Sequence, residues 1–220
     1  MLTRDVISPS LPSLQLQDKI FNALQLMNDA HVAHLALVDE EKYIGLVSEE
    51  DLLQAPDDTA EIGELRETFP FIRVNESEHF LKALQVAVEG RLSVIPVVSS
   101  SGEFTGVISY RELLKKASDF MNVKDPGGLI VLEIDPTKYS FSEISRLVET
   151  NDAQISQLNT YTDPHSGLMQ VTLKLNKVEL SDIIATFQRY EYAVKYFFGE
   201  ELYENELRTN YENLMNYLKF

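Results

Sequence analysis

The chain contains the same corner twice, about sixty residues apart. The stretch YIGLVSEEDLLQ runs from Tyr43 to Gln54, and FTGVISYRELLKK from Phe104 to Lys116. Each has a glycine, two apolar residues, a serine, and an acid three positions on, followed by two leucines: Gly45, Ser48 and Asp51 in the first, Gly106, Ser109 and Glu112 in the second. The repeat begins well before these corners. Ile20, Ala23, Leu24 and Met27 recur at the spacing of one helix face, and so do Phe80, Ala83, Leu84 and Ala87. An apolar strand follows in each copy, HLALV from His34 and VIPVV from Val94, then a polar turn, a second strand and the Ser-led helix. Each copy therefore reads helix, strand, strand, helix, with an extended lead-in around Leu14 or Val74. A unit of this size buries too little surface to be robust alone, so the two copies are expected to pack as one body.

Composition limits what such a body does. Nineteen Lys and Arg stand against 35 Asp and Glu, a net charge of −16. That surface repels duplex nucleic acid and anionic lipid, so neither is expected as a partner. No cysteine occurs, which removes disulfides and thiolate metal sites and fits a reducing compartment. No apolar run approaches the ~20 residues of a membrane span, and MLTRDVISPSLP lacks a signal-peptide core. The expectation is a soluble cytoplasmic protein.

The duplicated pattern resembles a tandem pair of cystathionine-β-synthase (CBS) domains. The likeness covers Leu2 to Met121 and rests on the glycine-to-acid corners and on the strand Ile95, Pro96, Val97, Val98, where the first copy has Ala36 at the proline position. The resemblance implies two clefts that take an adenine nucleotide or another adenosyl compound, AMP, ADP or ATP among them. It also implies roles. Asp51 would accept hydrogen bonds from both ribose hydroxyls and Ser48 would contact ribose or phosphate, with Ser109 and Glu112 as their counterparts. His34 and Val94 fall at a position that is often basic in the family, and only the first copy keeps a basic group there. Arg91 and Arg111 are the cations available to a phosphate, offsetting Glu49, Glu50 and Asp51. A carboxylate can take two parallel hydrogen bonds, and a helix start offers free N–H groups to an anion.

A second reading of both corners needs no ligand. Ser-x-x-Glu is also a capping box, in which the serine caps the helix and the acid bonds back to the cap N–H. Glu112 suits that box and is a methylene longer than the usual ribose acceptor, so the first corner is expected to keep the binding chemistry and the second to serve as a helix start. The alternative for the whole chain is a structural or interaction protein with degenerate clefts.

After Pro126-Gly127-Gly128 the pattern changes. LIVLEI reads as a strand, Phe141, Ile144 and Val148 as a helix face, Ala153 to Tyr161 as extended, and Met169, Val171, Leu173 and Leu175 as a half-buried strand. Leu180, Ile183, Ile184 and Phe187 mark a second helix and YAVKYFF a last strand. The order βαββαβ is ferredoxin-like. Following a CBS pair, it resembles an ACT-type domain as in the acetoin-utilisation CBS–ACT family, though the first strand-to-helix loop, Asp135 to Ser140, lacks the glycine of amino-acid-binding members. A scaffold or dimerisation role is expected of it.

The division expected is residues 1–58 and 59–122 for the CBS repeats, 123–128 for a linker, 129–199 for the ACT-like domain and 200–220 for a C-terminal helix striped by Tyr203, Leu207, Asn210, Leu214 and Tyr217. The fold class is α+β. No catalytic role is expected. His31 and His34 have only His79 and His165 as further soft ligands, so no metal site is read, and Ser48, His34 and Asp51 lack an oxyanion corner. The chain reads as a regulatory sensor that requires no cofactor, associates as a homodimer and modulates an unknown protein.

Overall fold

A computed structural model describes residues 1–199; the helix expected over 200–220 lies outside them. The described chain divides into two compact units, one of residues 1–120 and one beginning at residue 121.

The first unit holds both repeats. In copy one, α1 (Ile20–Ala30), β1 (His34–Asp39), β2 (Lys42–Ser48) and α2 (Glu49–Leu53) follow the expected order. Copy two supplies β3 (Val74–Asn75), α3 (Phe80–Gly90), β4 (Val94–Val98), β5 (Phe104–Ser109) and α4 (Tyr110–Phe120). The strands β1 and β2 are antiparallel, as are β4 and β5, and both hairpins shift register one residue past the matching turn side, at Leu37/Val38 and Val97/Val98. The lead-ins run parallel to their own hairpins: Leu14 bridges Leu37, and Val74 pairs with Val97. Both long helices stop at a non-glycine residue in the left-handed region, His31 at φ 54° and Arg91 at φ 52°.

The helical spacing is realised as packing. Ile20, Ala23 and Met27 are buried on α1, and Phe80, Ala83 and Ala87 on α3. A shared core joins Leu35, Leu37, Leu46 and Val47 of copy one to Leu92, Val94 and Val107 of copy two. Burying one such aliphatic side chain contributes ~1.5–3 kcal/mol, so the common core binds the copies into one body. A second cluster lies within copy two around Phe80, Ile95 and Ile108, and it includes Val6 from the far N-terminus.

The second unit has β6 (Leu129–Ile134), α5 (Phe141–Glu149), β7 (Ile155–Thr162), β8 (Met169–Leu175), α6 (Ser181–Arg189) and β9 (Ala193–Phe198). The sheet order is β7-β8-β6-β9 with every neighbour antiparallel, which is the ferredoxin-like arrangement. Ile130, Leu132, Leu173, Ile144, Val148, Ile183 and Phe187 form the core between sheet and helices. Phe141, read as part of the α5 face, is 54% exposed instead. It stands at the first position of α5, beside the capping Ser140, so it precedes the stripe that reaches the sheet. No helix among the described residues is long and apolar enough to cross a membrane.

Candidate functional site at the two serine corners

The two corners owe their glycines to a close approach by the other copy. A Cβ at Gly106 would stand 2.7 Å from Cγ2 of Ile7, and Gly106 has φ +144°. A Cβ at Gly45 would stand 3.0 Å from Cβ of Phe69. The segment before each lead-in therefore crosses to the opposite copy. Residues 1–8 lie on copy two: Thr3 N–H donates to Glu78 O, the Thr3 hydroxyl donates to Asn75 O at 2.5 Å, and Ser8 N–H donates to Val107 O at 2.8 Å. Phe69 and Pro70 lie on copy one, where Leu46 N–H donates to Pro70 O at 3.0 Å. Proline has no N–H to give, so the bond runs from strand to lead-in there and from lead-in to strand at Ser8.

This exchange makes the corners chemically unequal. At the second, Ser109 N–H donates to Ser8 Oγ at 3.0 Å, the Ser8 hydroxyl donates to Ser109 Oγ at 3.1 Å, and Glu112 N–H donates to the same Ser109 oxygen at 3.2 Å. Half of the capping box is therefore present. The other half is not, because Ser8 has taken the Ser109 N–H, and the Glu112 carboxylate faces Lys115 at 3.6 Å instead. At the first corner Pro70 replaces Ser8 and has no hydroxyl. Asp51 N–H donates to Ser48 Oγ at 3.1 Å, and the Ser48 hydroxyl turns onto Asp51 Oδ2 at 2.5 Å. Asp51 thus has one carboxylate oxygen committed to its own cap.

His34 opens β1 beside this first corner. Ala33 N–H donates to Ser93 Oγ at 3.0 Å, Ser93 Oγ lies 3.0 Å from His34 Nδ1, and Ser93 N–H donates to that same nitrogen at 3.3 Å. With an N–H pointing at it, Nδ1 acts as the acceptor and the ring proton belongs on Nε2. Burial lowers the His34 pKa below its usual value, and the nearby Asp51 carboxylate partly raises it again. His34 is thereby tied across the copies rather than left free as a basic group.

Six of the seven residues singled out by sequence separate into two sets, and Arg91 stands apart. Ser48, Asp51 and His34 gather at the first corner. Ser109, Arg111 and Glu112 line a cleft of about 400 Å³ at the second, whose opposite wall is Ser8 with Asp29 and His31 from the end of α1. Arg91 stands exposed at the left-handed end of α3, the place His31 holds on α1. Sequence reasoning missed Ser8, Asp29 and Ser93, and weighed His31 only as a metal ligand. The two crossing segments, ISP and FPF, share no residue pattern beyond proline, and their offset is 62 rather than sixty. The repeated glycines were the available signal, since glycine within a strand marks a close backbone approach. Among the described residues no group of three or more His, Asp or Glu is placed to hold a metal ion.

Comparison with known proteins agrees with this architecture. The CBS domain family model matches twice, over residues 4–58 and 62–119. Among curated proteins, inosine-5'-monophosphate dehydrogenase of Methanocaldococcus jannaschii is 20% identical over 146 residues, 66% of this chain but only 29% of that protein. The chain thus spans less than a third of that relative. Among solved structures, a CBS domain pair/ACT domain protein from Thermotoga maritima superposes with a TM-score of 0.50 at 20% identity, over 55% of this chain and 99% of that one. A CBS domain protein from Pyrobaculum aerophilum complexed with AMP gives a TM-score of 0.45 at 20% identity, over 54% and 99%. With the family pattern matched across more than half of its length, and both matches falling on the crossed repeats, this chain belongs to the CBS domain family.

Proposed function

We propose that this chain is a regulatory module that binds an adenine nucleotide or adenosine derivative between its CBS repeats and alters its association with a partner protein in response. The observation that carries this reading is the exchange of lead-ins. At the second corner the cleft is walled by Ser109, Arg111 and Glu112 from copy two and by Ser8, Asp29 and His31 from copy one. A ligand seated there touches both copies at once, so its binding energy acts on their arrangement, which is what a sensor requires. Asp51 supplies the ribose acceptor at the first corner, through the oxygen that Ser48 leaves uncommitted, and Ser48 lies within the same contact. Glu112 is its longer counterpart at the second corner, next to Ser109. Arg111 and Arg91 are the phosphate partners of the two corners. With Glu49 and Glu50 beside Asp51, a monophosphate or an uncharged adenosine compound suits the first corner better than a triphosphate.

The module acts as a cytoplasmic homodimer in this reading and performs no catalysis of its own. Exposed apolar side chains on its helices are available for association: Val88 is 70%, Leu53 68% and Leu114 65% exposed. The ferredoxin-like unit serves as an ACT-type scaffold that adds interface.

A thermal-shift series with adenosine, AMP, ADP and ATP tests the reading. A ligand that binds only the folded state at one hundred times its Kd stabilises by ~2.7 kcal/mol. Loss of the shift in Asp51→Ala with Glu112→Ala unaffected assigns the ligand to the first corner, and the reverse assigns it to the second. No shift from any of the four compounds at millimolar concentration refutes the proposal and leaves the degenerate-cleft alternative.

A further inference from the structure

The second unit holds a buried lysine, Lys174, that forms no ion pair among the described residues. Residues paired directly across a sheet share a face, so Gln157, Lys174 and Leu129 form one row on the side of the sheet away from α5 and α6, and Asn159, Thr172 and Val131 form the next. Lys174 is only 8% exposed. Its ammonium donates to the carbonyl oxygen of Asn122, a residue held in the left-handed region at φ 48°, and among the described residues it forms no ion pair. A buried ammonium carries three N–H donors and a full charge, and leaving that charge without an anion is costly.

Beside it lies a pocket of about 320 Å³, bounded by Lys174, Thr172, Gln157 and Leu129 on the sheet and by Met121 and Asp125 on the segment that precedes β6. That volume sits at the lower end of the ~300–1,000 Å³ range of small-molecule sites. The lysine supplies the charge, Thr172 and Gln157 supply hydrogen bonds that orient a polar head, and Met121 with Leu129 supplies an apolar wall. Asp125 is exposed at the edge of the pocket, where it repels a second negative charge.

We propose that this pocket binds a small organic monoanion, a carboxylate on a short aliphatic chain, with Lys174 as its counter-ion. One cation suits one negative charge, and the acidic rim disfavours a phosphate dianion. The site lies wholly within the second unit and stands independently of any ligand in the CBS pair.

Sodium butyrate and inorganic phosphate serve as probes, with backbone amide shifts of the 15N-labelled full chain as the readout. Butyrate is expected to shift the amides of Gly127, Thr172 and Lys174 saturably. Lys174→Gln keeps a donor for the Asn122 carbonyl while losing the charge, and weakens that binding roughly tenfold or more. Asp125→Asn, an exposed change that spares the fold, strengthens it. The proposal is overturned if butyrate gives no saturable shift, if phosphate binds as tightly, if Lys174→Gln binds butyrate as the parent does, or if Asp125→Asn leaves its affinity unchanged.

Discussion

Replacing Gly106 with alanine tests whether the exchanged lead-in holds the second corner together. At φ +144° a residue with a Cβ is strained by ~1–3 kcal/mol. The new methyl would also lie 2.7 Å from Cγ2 of Ile7, and forcing one extra methyl into an occupied site costs a further ~1–3 kcal/mol. Gly106→Ala is therefore expected to destabilise the corner by about 2–5 kcal/mol, the two terms being additive only in part. Two compact units make a single unfolding midpoint hard to interpret, so hydrogen exchange of the full chain is the better assay. The amides to follow are Ser8, bonded to Val107 O, and Ser109, bonded to Ser8 Oγ. Ile7→Ala added to Gly106→Ala removes the collision but not the φ strain, so the double variant should recover ~1–2 kcal/mol relative to the sum of the singles. A Gly106→Ala protein within about 0.5 kcal/mol of the parent would refute the close-approach argument. Strict additivity of the two substitutions would show that Ile7 is not what the glycine accommodates.

Three further outcomes follow from the same contacts. Ser8→Ala leaves the Ser109 N–H without its acceptor and should cost ~1 kcal/mol, read as about fivefold faster exchange of that amide, while Ser48→Ala removes only the α2 cap and leaves Ser109 unchanged. His34 has a pKa lowered from 6.5, so the unfolded chain takes up its proton first as pH falls. The stability it contributes is complete above pH 6.5 and is lost as pH drops through the folded value; the stability difference between the parent and His34→Gln, read by hydrogen exchange of first-unit amides at each pH, should shrink over that window, and a constant difference refutes the assignment. If the proposed homodimer uses the exposed α4 face, Leu114→Glu places a charge there and lowers the mass read by light scattering at tens of micromolar, whereas an unchanged mass excludes that face from the interface.

Local periodicity carried most of the fold. The apolar positions of α1 and α3 sit where a 3.6-residue repeat places them, and the buried apolar residues of β8, Val171, Leu173 and Leu175, alternate as a period of two requires, with Lys174 buried on the other face. The ferredoxin-like order followed from counting elements, because the short turn between β7 and β8 leaves few ways to arrange βαββαβ. What periodicity does not carry is which copy a lead-in joins. Val6 and Ile7 look like residues of the first repeat, yet Val6 is buried among Phe80, Ile95 and Ile108 of the second. A strand pattern specifies that a side chain is buried, not by whom, and only the positive φ of Gly106 and the crowding at Gly45 report the partner.

The same limit explains why the candidate site was half legible. A Ser-x-x-acid corner looks alike whether its acid bonds back to the cap, to a ligand or to a lysine, since all three need a carboxylate at that distance from a helix start. The distinction comes from what competes for the cap N–H and hydroxyl. At Ser109 the competitor is Ser8, about a hundred residues away in sequence, which takes the N–H and displaces Glu112 toward Lys115. At Ser48 the corresponding place belongs to Pro70, which has neither hydroxyl nor N–H, so Ser48 turns to Asp51. The difference between Asp51 and Glu112 is therefore only part of the asymmetry between the corners. One serine against one proline in the crossing segments decides which groups remain available to a ligand, and a substitution at position 8 or 70 changes the opposite copy's corner before it changes its own.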